Sequence, residues 1–134
     1  MFKKIINLFG FNKNNNTLSK FTEGNTVTYT ELESLPIGEP FYLPDNKKVE
    51  TIRLDTKSEN SLSFRVTMKG KAEWKLHRHD CTETILIYKG QCKDLTNNKE
   101  ILRGGLYIIP PFRAHHIISE KAETIFYVEF KKPI

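Results

Sequence analysis

The chain has 134 residues and a formal net charge of +5, with 38% hydrophobic and 28% charged residues. That length supports one domain with a real core, and no apolar run approaches the ~20 residues of a membrane span. Its lysines and arginines are scattered in runs of at most two, so the charge describes a solvated surface and not a nucleic-acid interface.

The N-terminus, Met1 to Phe11, carries two lysines before a short apolar patch that Asn7 interrupts, and no small-residue cleavage site follows. This argues against a signal peptide and for a weakly helical tail. Residues 10 to 17 are polar, Asn-rich and aperiodic, a linker composition. The expected division is therefore a tail and linker over residues 1–24 and a folded domain over 25–134. In that domain Val27 and Tyr29 alternate with threonines, which predicts a first strand. Phe41-Tyr42-Leu43, bordered by Pro36, Gly38, Pro40 and Pro44, predicts an edge strand.

From Val49 onward the pattern is almost pure β. Leu62, Phe64, Val66 and Met68 alternate with polar residues, as in a half-buried antiparallel strand. Further strands are expected over 49–54, 73–77, 84–88, 91–95, 100–103, 106–109, 115–119 and 124–130, separated by Gly, Pro and Asn turns. With no convincing helix after residue 25, the chain reads as an all-β sandwich or barrel.

The stretch from His77 to Gly90 carries the chemistry. His77, His79 and Glu83 are spaced His-x-His-x-x-x-Glu. Alternation puts His77 and His79 on one face of a strand. Glu83 joins them if the chain turns after Asp80 and a second strand starts near Thr82. Imidazoles with a carboxylate suit Zn, Fe, Mn, Ni or Cu better than Ca or Mg.

A second stretch, from Gly104 to Ser119, contains Pro110-Pro111 and His115-His116. Together the two stretches resemble the cupins, whose first motif is G-x5-H-x-H-x(3,4)-E-x6-G and whose second is G-x5-P-x-G-x2-H-x3-N. His77, His79, Glu83 and Gly90 match the first, with Gly70 one residue too far upstream. Gly104, Pro110 and His115 match the second, while Phe112 replaces its glycine and Ser119 its asparagine. The resemblance covers roughly residues 49 to 130. It implies a single-domain antiparallel jelly-roll β-barrel with His77, His79, Glu83 and His115 as metal ligands, leaving one or two positions open. Because the residues are doubled, the second motif also fits one residue later, through Gly105, Pro111 and His116. Only one of His115 and His116 can point inward.

The other chemistry-bearing residues have plainer readings. Cys81 and Cys92 lack metal or redox spacing and read as reduced thiols of a cytoplasmic protein, although Cys81 stands between candidate ligands. Trp74 reads as core, and parity places it on the face opposite His77. Arg113 is a rim candidate for an anionic group, and Tyr88, Tyr107 and Tyr127 are pocket or interface candidates. The cupin resemblance implies a metal-binding protein that acts on or binds a small polar molecule, by oxygenase, isomerase or lyase chemistry. The alternative is a non-catalytic binding or sensing module. No separate catalytic residue stands out. The expected partners are a small-molecule ligand and a second copy of the chain, with neither nucleic acid nor membrane.

Overall fold

A computed structural model describes residues 11–12, 17–18, 23–44 and 46–134. The N-terminal apolar patch and most of the expected linker lie outside the described residues. Within that linker, β1 (Phe11–Asn12) and β2 (Thr17–Leu18) pair antiparallel, and Thr17 meets Tyr42 in a short parallel contact with β3 (Pro40–Leu43).

The following strands are β4 (Asn46–Leu54), β5 (Ser61–Lys69), β6 (Ala72–His77), β7 (Thr82–Lys89), β8 (Cys92–Asp94) and β9 (Lys99–Ile101). The chain then adds β10 (Leu106–Ile109), β11 (His115–Ser119) and β12 (Glu123–Lys131). They form two sheets. The larger is ordered β1-β2-β3-β4-β5-β12-β7-β10 and the smaller β6-β11-β8-β9, with antiparallel pairing throughout β3 to β12. This is the expected all-β jelly roll.

The core lies between the sheets. Leu62, Phe64, Val66 and Met68 of β5 are buried, and across the register so are Phe130, Val128, Phe126 and Thr124 of β12. Phe64 meets Phe130 edge-on with ring centroids 5.6 Å apart, and Phe41 from β3 at 6.5 Å. Burying each such side chain stabilises the fold by about 1.5–3 kcal/mol. The smaller sheet contributes Ala72, Trp74, Ile117, Cys92 and Ile101 from the opposite side.

One segment departs from expectation. Val27 and Tyr29 do not form a strand; Tyr29–Glu33 is a short helix, α1. Thr28 caps it reciprocally, its Oγ1 accepting from Glu31 N at 3.2 Å while Glu31 Oε1 accepts from Thr28 N at 3.1 Å. This Thr-x-x-Glu box satisfies two backbone donors at once and overrides the strand-like alternation. Arg53 Nη1 donates to the carbonyls of Glu33 and Leu35 at 2.6 and 2.9 Å, tying the end of the helix to β4. Leu32 and Leu35 are buried against the barrel interior.

Candidate metal centre

His77 ends β6, Glu83 is the second residue of β7, and His115 opens β11 directly opposite His77 in the register. His79 lies between β6 and β7, beside the segment that precedes α1. There Val27 N donates to Arg78 O at 2.9 Å, and Tyr29 N to Asp80 Oδ1 at 2.8 Å. The chain therefore turns after Asp80, as Glu83 requires. His77, His79, Glu83 and His115 are exposed by only 3, 3, 6 and 1%. One potential ligand atom from each falls within 4.8 Å of all the others, a group that could hold a metal ion.

Backbone carbonyls set the ring orientations. His77 Nδ1 donates to Lys75 O at 2.7 Å, His79 Nδ1 to Val27 O at 2.8 Å, and His115 Nδ1 to Arg113 O at 3.0 Å. A carbonyl only accepts, so each Nδ1 carries the proton and each Nε2 keeps its lone pair. The Nε2 atoms of His79 and His115 lie 3.4 and 3.1 Å from Glu83 Oε1. With the proton on Nδ1, His115 Nε2 and Glu83 Oε1 both present lone pairs, and among the described residues neither has a hydrogen-bond donor. Buried polar atoms left facing one another in this way are what a shared cation would satisfy.

The charges of the cluster are strongly coupled. Burial holds His77 well below the ordinary histidine range, helped by the positive potential of His115 and His79. Burial also lowers His79, against the attraction of Glu83. At His115 burial is outweighed by Glu83, which raises the imidazole above its usual value. Glu83 is lowered, because the potentials of His115 and His79 overcome the cost of burying its charge.

His116 points the other way, with Nε2 3.5 Å from Glu73 Oε2 and its ring half-buried. The geometry thus turns His115 inward and His116 outward. Cys81 is buried but stands outside the four-residue group. Burial and the nearby Asp80 push its thiol up to about 12, so it offers no thiolate at neutral pH. Burial and Asp94 push Cys92 to about 12 as well. Arg113 is exposed, as are Tyr88 and Tyr127, which touch edge-to-face at 6.2 Å on the outer face of the larger sheet.

Trp74 corrects the parity argument. It is 8% exposed and stacks on His77, with centroids 5.3 Å apart and planes at 26°. His115 pairs with His77 but Ile117 pairs with Trp74, so two steps on β11 span three on β6. The extra residue is a β-bulge, which returns Trp74 to the side of His77.

Four further contributors carry no sequence signal of their own. The Val27 carbonyl orients His79. Asp94, fully buried, accepts from His116 N at 3.1 Å, Tyr107 Oη at 2.7 Å and Asn97 Nδ2 at 2.6 Å, fixing the start of β11. Burial opposes ionisation of Asp94, but these hydrogen bonds hold its carboxyl below the usual range. Leu32 and Thr51 line a small cavity against the cluster, together with Trp74 and the core phenylalanines.

No protein-family model and no curated protein matches the sequence. Among solved structures, the chain is similar to KdgF from Halomonas sp., at 11% identity and a TM-score of 0.59 over 66% of this chain and 83% of that one. It is similar to an RmlC-like cupin from Shewanella frigidimarina, at 14% identity and a TM-score of 0.58 over 66% and 79%. It is also similar to a chain in the complex of Rhodobacter sphaeroides SigE with the anti-sigma ChrR, at 20% identity and a TM-score of 0.57 over 64% of this chain. There the match spans only 45% of the other chain. At these identities the likeness establishes the fold, and the fold is that of the cupins.

Proposed function

We propose that this cupin-fold protein holds one divalent transition-metal ion through His77, His79, Glu83 and His115 and binds a small molecule beside it. The observation that carries the reading is the convergence of three imidazoles, each with Nδ1 occupied by a carbonyl, on one buried carboxylate. Nitrogen-rich ligation with one carboxylate fits Zn, Fe, Mn, Ni or Cu. When bound, the ion supplies a Lewis-acid or redox centre with an open coordination position. The chain's own residues supply orientation and exclusion of water: the carbonyls fix the rings, and Leu32 with the aromatic core closes the cavity.

Among the described residues, the cavity lining includes no acid or base beyond the four candidate ligands. Oxygenase, isomerase or lyase chemistry that needs a separate proton-transfer group finds none there, which favours the binding or sensing reading. We assign this activity to residues 25–134. We also place the protein in the cytoplasm as a homodimer. Two buried, unbridged cysteines suit a reducing compartment. Leu86, Tyr88, Leu106, Ile108 and Tyr127, exposed together on β7, β10 and β12, suit a covered sheet face.

Cobalt(II) titration of the metal-free protein tests the site. One ion per chain is expected for the wild type, with occupancy lost in His77→Ala. A wild type that takes up no ion overturns the reading.

A further inference from the structure

Thr51 is out of place in its surroundings. It sits in the middle of β4, in register with Phe41 on one side and Val66 on the other. The residue is 3% exposed, lines the cavity, and carries an Oγ1 with no hydrogen-bond partner among the described residues. Valine has nearly the same shape and suits a buried strand at least as well, without the penalty of an unmade hydrogen bond. An orphaned hydroxyl at such a position calls for a partner that the described residues do not supply.

The rest of the lining limits what that partner can be. Phe41, Phe64, Trp74 and Val128 are apolar or nearly so, and the one carboxylate is Glu83, already committed to the histidines. Among the described residues no lysine or arginine lines the cavity, so away from the ion a phosphate or a free carboxylate buried there meets no fixed counter-charge. The enclosed space is about 20 Å3, room for about one water molecule. Leu32 on α1 forms part of its wall.

We propose that, beyond the group that meets the ion, the site takes a compact, uncharged, apolar body with one hydrogen-bonding group, a hydroxyl or carbonyl, that pairs with Thr51 Oγ1. Thr51 is then a specificity-determining residue on the wall of the cavity. This rests on the metal reading above for the group that meets the ion, but the pairing with Thr51 can be tested without the ion.

The test uses the full chain and its Thr51→Val variant. Both are loaded with cobalt(II) and titrated with ethanethiol, 2-mercaptoethanol and mercaptoacetate, followed by thiolate-to-cobalt absorption. The wild type should bind 2-mercaptoethanol about fivefold more tightly than ethanethiol, the scale of one net hydrogen bond, and mercaptoacetate most weakly. Thr51→Val should lose the preference while melting at a higher temperature, because it no longer buries an orphaned hydroxyl. Equal binding of the first two thiols by the wild type, a preference that survives Thr51→Val, or tightest binding of mercaptoacetate overturns the proposal. In metal-free protein, 2-propanol should shift the Trp74 indole resonance at concentrations where acetate does not, and Thr51→Val should weaken that response. Failure to load cobalt would sink the metal reading alone, and the 2-propanol comparison would then decide the ligand class. A shift that is the same with both probes, or unchanged by the substitution, counts against it.

Discussion

Trp74 and His77 stack face to face although they stand three residues apart on one β-strand, with ring centroids 5.3 Å apart. Strict alternation would put them on opposite faces of the sheet. The bulge that brings them together makes the protein's single tryptophan a neighbour of the candidate metal centre. Binding of copper(II) or nickel(II) should therefore quench Trp74 fluorescence strongly, at one equivalent of metal. Titration that saturates the site without changing the emission would contradict this placement.

The two adjacent histidines of β11 should separate cleanly. His115→Ala removes an imidazole whose Nε2 lies 3.1 Å from Glu83, and should weaken metal binding by more than the roughly 10–100-fold typical of losing an outer partner. His116→Ala removes a ring that faces Glu73 on the outside and should leave occupancy nearly unchanged. Competition against a chelator of known affinity measures both, and the reverse ranking would place the second motif one residue out of register.

Metal affinity should fall on acidification, beginning at His115. Metal binds neutral imidazole, so every histidine protonated in the metal-free protein is a competitor. Glu83 raises His115 above the ordinary histidine value, so its proton is taken up first as pH falls. His77 and His79, lowered mainly by burial, stay neutral to more acidic pH. Affinity should thus decline about tenfold per pH unit, the slope for one displaced proton, starting above the usual histidine range. A flat profile down to the ordinary histidine value would contradict the coupling of Glu83 to His115.

The resemblance between the two motifs and the cupins was legible because ligand spacing and strand alternation are local properties. Leu62–Met68 and His77-x-His79 show their faces in the chain itself. The helix α1 was legible in principle from Thr28 and Glu31, but Val27 and Tyr29 imitate a strand over the same residues. The phase shift at Trp74 was not legible, since a bulge is set by the pairing of β6 with β11. Val27, Thr51 and Asp94 meet the site only through tertiary contacts, with sequence separations such as the 52 residues between Val27 and His79.

Two backbone positions should respond to substitution in opposite directions. Gly90 has φ +77°, and a Cβ there would lie 2.6 Å from the carbonyl oxygen of Glu123 and from Thr124 Oγ1. Gly90→Ala should destabilise the fold by about 2 kcal/mol or more, combining the left-handed backbone with a clash against main chain. Phe112 stands where the second motif has glycine and keeps a left-handed φ of +64°, with its ring 64% exposed. Phe112→Gly should therefore stabilise by up to ~1 kcal/mol. Its amide should still donate to His79 O, as it does at 2.7 Å. Denaturant unfolding of both variants reads the two effects, and a destabilised Phe112→Gly would show that the exposed ring contributes more than the strained backbone costs.

The central claim is that one ion sits among His77, His79, Glu83 and His115, and X-ray absorption of the zinc-loaded protein tests it most directly. The expected spectrum shows one zinc per chain, imidazole scattering, and zinc–nitrogen and zinc–oxygen distances of ~2.0–2.2 Å. A sulfur neighbour near ~2.3 Å would instead implicate Cys81, and protein that holds no zinc after loading would contradict the account.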